Sequence, residues 1–332
     1  KMWLITIGEP LPLNSNARLH RAGILSKYLN ECGHDVTWWS STFDHVRKKE
    51  LFANDVVKKT SNGINLRLLN GGGYKKNISF SRIRDHRNIA KKFSDQSNML
   101  ERPDLIISSY PTIELCNEAV AYGLKNEVPV IIDIRDLWPD IFYLSLPQIL
   151  QPFGRYFIEL LYGNMVKNII RNAQSIVGIS QGYLDWSYKK FSRPSKELDK
   201  VFYLGYEKYQ TPSSSFSNLT FIDDDFRRRK KLVFAGTFGK TYDLSIPIEA
   251  ARKLNNDYDS PIFIFCGTGE KEDIWKEKAS NLSNVIFTGW LEKHELSFLL
   301  NEADAGLACY VESAPQGIPN KVIEYLSFNL PI

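Results

Sequence analysis

The chain has 332 residues, 43% of them hydrophobic, with a formal net charge of +4. That length and composition point to two globular domains with real cores and exclude a disordered or fibrous chain. The small net charge leaves only a local basic patch as a route to nucleic acid, and the four cysteines, at 32, 116, 266 and 309, follow no metal-ligand spacing and fit free thiols in a reducing compartment. No stretch approaches about 18 consecutive apolar residues, so the sequence reads as cytosolic, at most peripheral to the inner face of a plasma membrane.

Trp3 to Ile7 reads as a strand, and Ala22, Leu25, Tyr28, Leu29 and Cys32 then recur at helical spacing, with Gly33 placed to end that helix. Between them lies the loop Gly8-Glu-Pro-Leu-Pro-Leu-Asn-Ser-Asn-Ala-Arg. Further strands are expected at Val36 to Trp39, Ile64 to Leu69, Leu105 to Ser108, Val130 to Ile134, Ser175 to Ile179 and Val201 to Leu204. Short apolar runs alternating with helical patterns make residues 1–205 a parallel α/β domain. Within it, Lys75, Lys76, Arg82, Arg84, His86, Arg87, Lys91 and Lys92 interleave with Ile78, Phe80, Ile83 and Phe93. That run fits either an anionic-lipid surface or a solvated helix face. Phe153 to Ile170 is a second candidate surface, its Phe157, Leu160, Leu161 and Met165 either exposed or packed.

Turn-rich residues from Thr211 and the dense charges of Asp223 to Lys231 place a linker at 206–230. A second α/β series, 231–332, is expected from strands at Leu232 to Ala235, Ile262 to Cys266, Val285 to Thr288 and Ala305 to Ala308. Its strands run into Gly236-Thr-Phe-Gly-Lys, Gly267-Thr-Gly-Glu and Gly289-Trp-Leu; such glycines either shape a turn or let a ligand approach the backbone. Near the end, a Pro/Gly loop turns into a helix carrying Lys321 and Glu324. A helix start with an added cation suits a diphosphate, and a carboxylate suits a vicinal diol, so the pair reads as a nucleotide-sugar clamp or as a solvated ion pair. Asp223-Asp-Asp looks like a metal motif but lies in the linker, and no metal is expected.

The Gly236-Thr-Phe-Gly loop, the Gly267-Thr-Gly-Glu turn, Thr288-Gly-Trp-Leu and Pro319-Asn-Lys-Val-Ile-Glu-Tyr-Leu occur in the order of family 4 retaining glycosyltransferases, which the chain resembles over nearly its whole length. Asp133-Ile-Arg-Asp-Leu-Trp-Pro-Asp is similar to the signature of the bacterial O-antigen and capsule subgroup, including N-acetylfucosamine transferase-like members. The resemblance implies a GT-B fold, two facing Rossmann-like domains with an interdomain cleft. It implies transfer of a sugar, an N-acetylhexosamine or a relative, from UDP to a polyprenyl-diphosphate-linked saccharide, with no metal cofactor.

Carried over by position, Glu324 meets the ribose, while Gly236, Gly239, Lys240, Gly317, Asn320 and Lys321 surround the diphosphate. Gly267, Gly269 and Trp290 flank the nucleobase. Gln316 replaces the carboxylate that contacts the transferred sugar in relatives, which puts the donor sugar in doubt. Arg135, Asp136 and Lys321 are the expected catalytic groups; Asn16 and Arg18, from the first loop, are the expected acceptor contacts. A nucleotide-sugar 2-epimerase of the same fold and a non-catalytic nucleotide-sugar or lipid-binding protein are the alternatives. GT-B chains continue beyond the point matching Ile332, so further C-terminal residues are expected.

Overall fold

The computed structural model describes residues 1–13, 17, 19–77, 79–144, 146–206, 222–239, 241–255, 259–311 and 320–332. They form two compact units, Lys1–Tyr203 and Leu204–Ile332. In the first, β1 (Met2–Ile5), α1 (Arg21–Glu31) and β2 (Val36–Ser41) lead through a small hairpin, β3 (Phe43–Asp44) and β4 (Lys49–Glu50), to β5 (Val56–Lys59) and β6 (Asn65–Leu69). Next come α2 (Phe80–Ser97), β7 (Leu105–Tyr110), α3 (Ile113–Asn126), β8 (Val130–Ile134) and α4 (Asp140–Leu144). The unit closes with α5 (Gln151–Asn172), β9 (Ser175–Gly178), α6 (Gln181–Phe191) and β10 (Lys200–Val201).

The strands form one sheet in the order β10-β9-β8-β7-β1-β2-β6-β5. Every neighbouring pair is parallel except β5 against β6. Successive residues of a strand face opposite sides, so β1 and β2 feed two cores at once. Leu4, Val36 and Trp38 join Ile64, Leu66 and Leu68 on one side. Trp3 and Trp39 meet Phe93 of α2 and Tyr122 of α3 on the other, with ring centroids 5.0 to 6.4 Å apart. The chain leaves β1 toward β2 on one side and returns to β7 on the other. Between β1 and β7, therefore, two strand ends diverge and leave a crevice.

The second unit runs α7 (Asp224–Arg228), β11 (Lys231–Ala235), α8 (Ser245–Leu254), β12 (Ile262–Cys266), α9 (Glu272–Lys278), β13 (Val285–Gly289), α10 (Lys293–Glu302), β14 (Ala305–Gly306) and α11 (Asn320–Ser327). Its parallel sheet has the order β13-β12-β11-β14, with the strand order reversing between β11 and β14. Val233 and Ala235 face one core with Leu299, Tyr325 and Phe328, and Phe234 faces the other with Phe238, Ile248 and Trp275. The charged run from Asp223, expected in the linker, belongs to this unit. Asp223 caps α7 by accepting from Phe226 N at 2.7 Å, and the Phe226 side chain enters the core.

Tyr325 fixes how α11 lies. Its hydroxyl accepts from Ala235 N at 3.0 Å and donates to Leu307 O at 3.3 Å, so it ties the ends of β11 and β14 where no further strand pairing reaches. Tyr325→Phe leaves a buried backbone N–H without this partner, and a loss of about 1–3 kcal/mol is expected in urea unfolding. An unchanged midpoint would mean that packing alone seats the helix.

Candidate functional site

Both units gather chemistry at the carboxyl ends of their sheets. In the first, a cavity of about 220 Å³ opens at the crevice between β1 and β7. Gly8 follows β1, Ser41 ends β2, Pro111 and Thr112 follow β7, and Asp136 follows β8; Tyr74, Arg82, Asp85 and His86 come from the start of α2 and the loop before it. Asp85 reaches inward because residue 71 is glycine, where a Cβ would lie 2.2 Å from Asp85 Oδ1. Gly73 N then donates to that oxygen at 2.8 Å.

The cavity is polar and sets neutral imidazoles beside Arg82 and two carboxyl groups. Burial, with Arg82 and His45 adding repulsion, lowers His86 to a pKa of about 3, and burial beside Lys48 and Arg82 lowers His45 to about 4. Both imidazoles are neutral at physiological pH. Arg82 Nε donates to His86 Nε2 at 3.4 Å, which leaves the His86 proton on Nδ1, 3.9 Å from Glu114 Oε2. Burial raises Asp85 to about 6 against the Gly73 bond, and burial also raises Asp136. Arg82 is the cation of the wall, packed 4.5 Å from the Trp138 ring and 5.3 Å from the Tyr74 ring.

Arg135 and Asp136, expected together among the catalytic groups, part company here. Asp136 lines the cavity and Arg135 does not. Arg135 donates to Asp133 at 2.8 Å and pairs with Glu9, while Arg21 grips the same Asp133 at 2.9 and 3.0 Å. Burial opposes charge on Asp133, but Arg135 and Arg21 outweigh it and hold the carboxyl below its usual range. Arg135 is thus held within a buried ion-pair network rather than in the cavity lining. The basic run also divides: Arg82 and His86 turn inward, leaving Lys75, Lys76, Arg84, Arg87 and Lys91 outside.

In the second unit, Lys321 and Glu324 on α11 face the end of β11. Lys321 Nζ lies 3.0 Å from Glu324 Oε2, and Glu324 is only 1% exposed. The ion pair is buried rather than solvated. Gly236 sits against it, since a Cβ there would lie 3.3 Å from Lys321 Cε, while Gly239 faces open space. Gly267 answers a backbone demand instead: its φ is +139°, and a Cβ would lie 1.8 Å from Gly236 O. Gly269 is likewise pressed against the Phe238 backbone. Trp290 stands out from the end of β13, 62% exposed. Tyr242 and Tyr310, not singled out from the sequence, join hydroxyls at 3.2 Å; burial raises the pKa of each, their contact lowers Tyr242 and raises Tyr310, and Glu324 adds a smaller upward push to both. Asn320 opens α11. Asn16, Arg18, Lys240, Gln316 and Gly317 lie outside the described residues.

Residues 229–332 match the family model for glycosyl transferases group 1. No curated protein matches the chain. Among solved structures, HepE from Anabaena in complex with UDP is similar at a TM-score of 0.61 and 14% identity, over 99% of this chain and 79% of HepE. WaaG, a glycosyltransferase involved in lipopolysaccharide biosynthesis, is similar at 0.59 and 12% identity, over 100% of this chain and 80% of WaaG. At these identities the likeness establishes the fold, which is GT-B with two Rossmann-like units.

The raised Asp85 pKa gives a test of the cavity. The native state holds the proton up to about pH 6 and the unfolded chain only to about pH 4, so stability drawn from Asp85 is full below pH 4 and is lost as pH rises through 6. Asp85→Asn keeps an acceptor for Gly73 and is therefore expected to melt higher than the parent at pH 7 and together with it below pH 4, by calorimetry. Equal melting at pH 7 would mean that Asp85 is well solvated.

Proposed function

We propose that the protein is a retaining glycosyltransferase that moves a sugar, an N-acetylhexosamine or a close relative, from a UDP-sugar to a polyprenyl-diphosphate-linked saccharide. The buried Lys321–Glu324 pair carries this reading, because it sits at the strand-order reversal of the unit that matches the group 1 model. UDP, bound by HepE, is the nucleotide proposed here.

In this reading Glu324 accepts hydrogen bonds from the ribose hydroxyls, and Lys321 turns toward the diphosphate. No metal is required, since Lys321, the N–H groups at the start of α11 and Lys240 supply the positive field. Trp290 offers a face for the uracil ring, with Gly236, Gly239, Gly267 and Gly269 shaping the loops around it. Gln316, Gly317 and Asn320 complete the sugar and phosphate contacts. As the glycosidic bond breaks, charge grows on the departing diphosphate, and Lys321 stabilises that charge more than it stabilises the bound donor.

The cavity of the first unit suits the acceptor. Its neutral imidazoles, carboxyl groups and hydroxyls offer the hydrogen bonds that a sugar ring needs, and Asp136 is the group proposed to accept a hydrogen bond from the reacting hydroxyl. Asn16 and Arg18 are proposed to extend this site toward the acceptor phosphates. The exposed cations of α2 and its approach, Lys75, Lys76, Arg84, Arg87 and Lys91, are proposed to rest on the anionic inner face of a plasma membrane, where such an acceptor resides.

Removing one preorganised donor from a developing anion costs about 3 kcal/mol, roughly a hundredfold in rate. Lys321→Ala and Glu324→Gln are each expected to lower radiolabelled sugar transfer at least tenfold while the melting transition persists. Wild-type turnover in both variants would sink the assignment, and isomerised donor without transfer would point to the epimerase.

A further inference from the structure

Helix α5 turns large apolar groups toward water. Phe153, Tyr156, Phe157, Leu160 and Leu161 recur at three- and four-residue spacing, and Phe153, Phe157 and Leu160 are 68%, 60% and 69% exposed. The opposite side of the same helix packs Tyr162, Val166, Ile169 and Ile170 into the unit. The segment leading into it extends the patch, since Leu144, Leu146, Ile149 and Leu150 are exposed as well. Leu146 also meets the first turn of α5, where a Cβ on Gly154 would lie 2.6 Å from it. Scattered surface leucines need no explanation, but a continuous stripe of this size does.

The charge carried on the same layer of helices says what covers it. Helix α3 packs against both α2 and α5, and Arg87 of α2 lies near enough to Tyr162 of α5 to act on its hydroxyl. The outward cations of α2, Arg84, Arg87 and Lys91, therefore belong to the same packed layer of helices as the apolar stripe, across α3 from it, with Phe80 at 91% exposure at the head of α2. On the stripe's own helix, Arg155 is balanced by Glu159 at 3.0 Å, and Lys167 is exposed. An apolar stripe and a basic helix face carried on one layer of helices complement an anionic bilayer: acyl chains accept the one and headgroups the other. Among the described residues no helix is long and apolar enough to cross a membrane, so α5 could meet a bilayer only at its surface.

We infer that α5 is the element that enters the bilayer, its Phe153 to Leu161 stripe seated below the headgroups of an anionic membrane while α2 supplies the electrostatic contact. This rests on the membrane reading above and adds to it a specific apolar anchor.

The test is sedimentation of the full chain with phosphatidylcholine vesicles and with vesicles holding phosphatidylglycerol at about one lipid in three, a surface negative enough to attract basic segments. The parent is compared with a Phe157→Asp/Leu160→Asp variant and with an Arg84→Glu/Arg87→Glu variant. Both variants are expected to lose at least tenfold in binding to the anionic vesicles. High salt is expected to weaken the parent only in part, since the apolar contact is not screened. Both variants should keep the parent melting temperature and the parent rate of transfer to a water-soluble acceptor.

If the α5 variant binds as the parent does while the α2 variant fails, the anchor is overturned and the charge-based membrane reading stands. If the parent binds no vesicle, both fall. A parent that ignores vesicles but self-associates in sedimentation velocity, with the α5 variant monomeric, would assign the stripe to a second copy of the chain. Vesicle binding without any sugar transfer would defeat the catalytic reading and leave the anchor intact.

Discussion

A buried carboxylate with two guanidinium partners holds the crevice of the first unit in shape. Asp133, at the end of β8, takes hydrogen bonds from Arg135 and from Arg21 at the start of α1, and Arg135 also meets Glu9. Glu9 in turn accepts from Ala22 N at 2.9 Å, which satisfies one of the open N–H groups of α1. Arg21 reaches further, to Phe202 O at 2.8 Å and Tyr203 O at 3.0 Å. Because the cavity residues Gly8 and Asp136 adjoin Glu9 and Arg135 in the chain, this network sets the distance between two walls of the cavity. Taking one partner from a buried pair typically costs about 3–5 kcal/mol, far more than a surface ion pair is worth.

The two units solve the same architectural problem and finish it with opposite electrostatics. Each gathers its candidate site residues where its strand order reverses, since two adjacent strand ends diverge there. In the first, burial leaves the histidines neutral and raises Asp85 and Asp136, so the lining sets neutral hydrogen-bonding groups beside Arg82 and two carboxyls. The second has Lys321 paired with a carboxylate that ribose hydroxyls can satisfy instead. A cation released by ligand binding acts on charge without first being stripped of water. That contrast supports assigning the anionic donor to one unit and the hydroxyl-bearing acceptor to the other.

The strands were legible because parallel strands are buried on both faces and read as short apolar runs, such as Leu105 to Ser108 or Ile262 to Cys266. The edge strand β5 was not, because its Val-Val-Lys-Lys is mostly exposed and needs β6 to define it. Side-chain direction was the harder quantity. In the basic run, Arg82 and His86 are one turn apart and share an inward face, while Arg84 and Arg87 point out; composition alone cannot separate them. Adjacent Arg135 and Asp136 likewise diverge in a loop that has no periodicity to read. The Gly71-Gly72-Gly73 run ahead of Tyr74 was a usable signal for the cavity, because three glycines before a helix suggest close packing of something against the backbone. Gly267 shows the opposite hazard: its freedom serves the Gly236 carbonyl, a contact between two loops of one unit, before it serves any ligand.

Helix α5 joins the surface to the chemistry through its inner face. Tyr162 donates to Glu114 Oε1 at 3.3 Å, and the other oxygen of Glu114 lies 3.9 Å from His86, a wall of the cavity. Exposed Phe157 and Leu161 thus lie within about a turn and a half of Tyr162, from which one hydrogen bond and one close contact lead through Glu114 to His86. Seating the outer stripe in lipid would restrain the helix, and the restraint would pass to the His86 wall through groups that are buried and have few other arrangements. A lipid-linked acceptor fits this layout, because the hydrophobic surface that holds the membrane and the polar cavity proposed to hold the sugar are built on one packed set of helices, α2, α3 and α5.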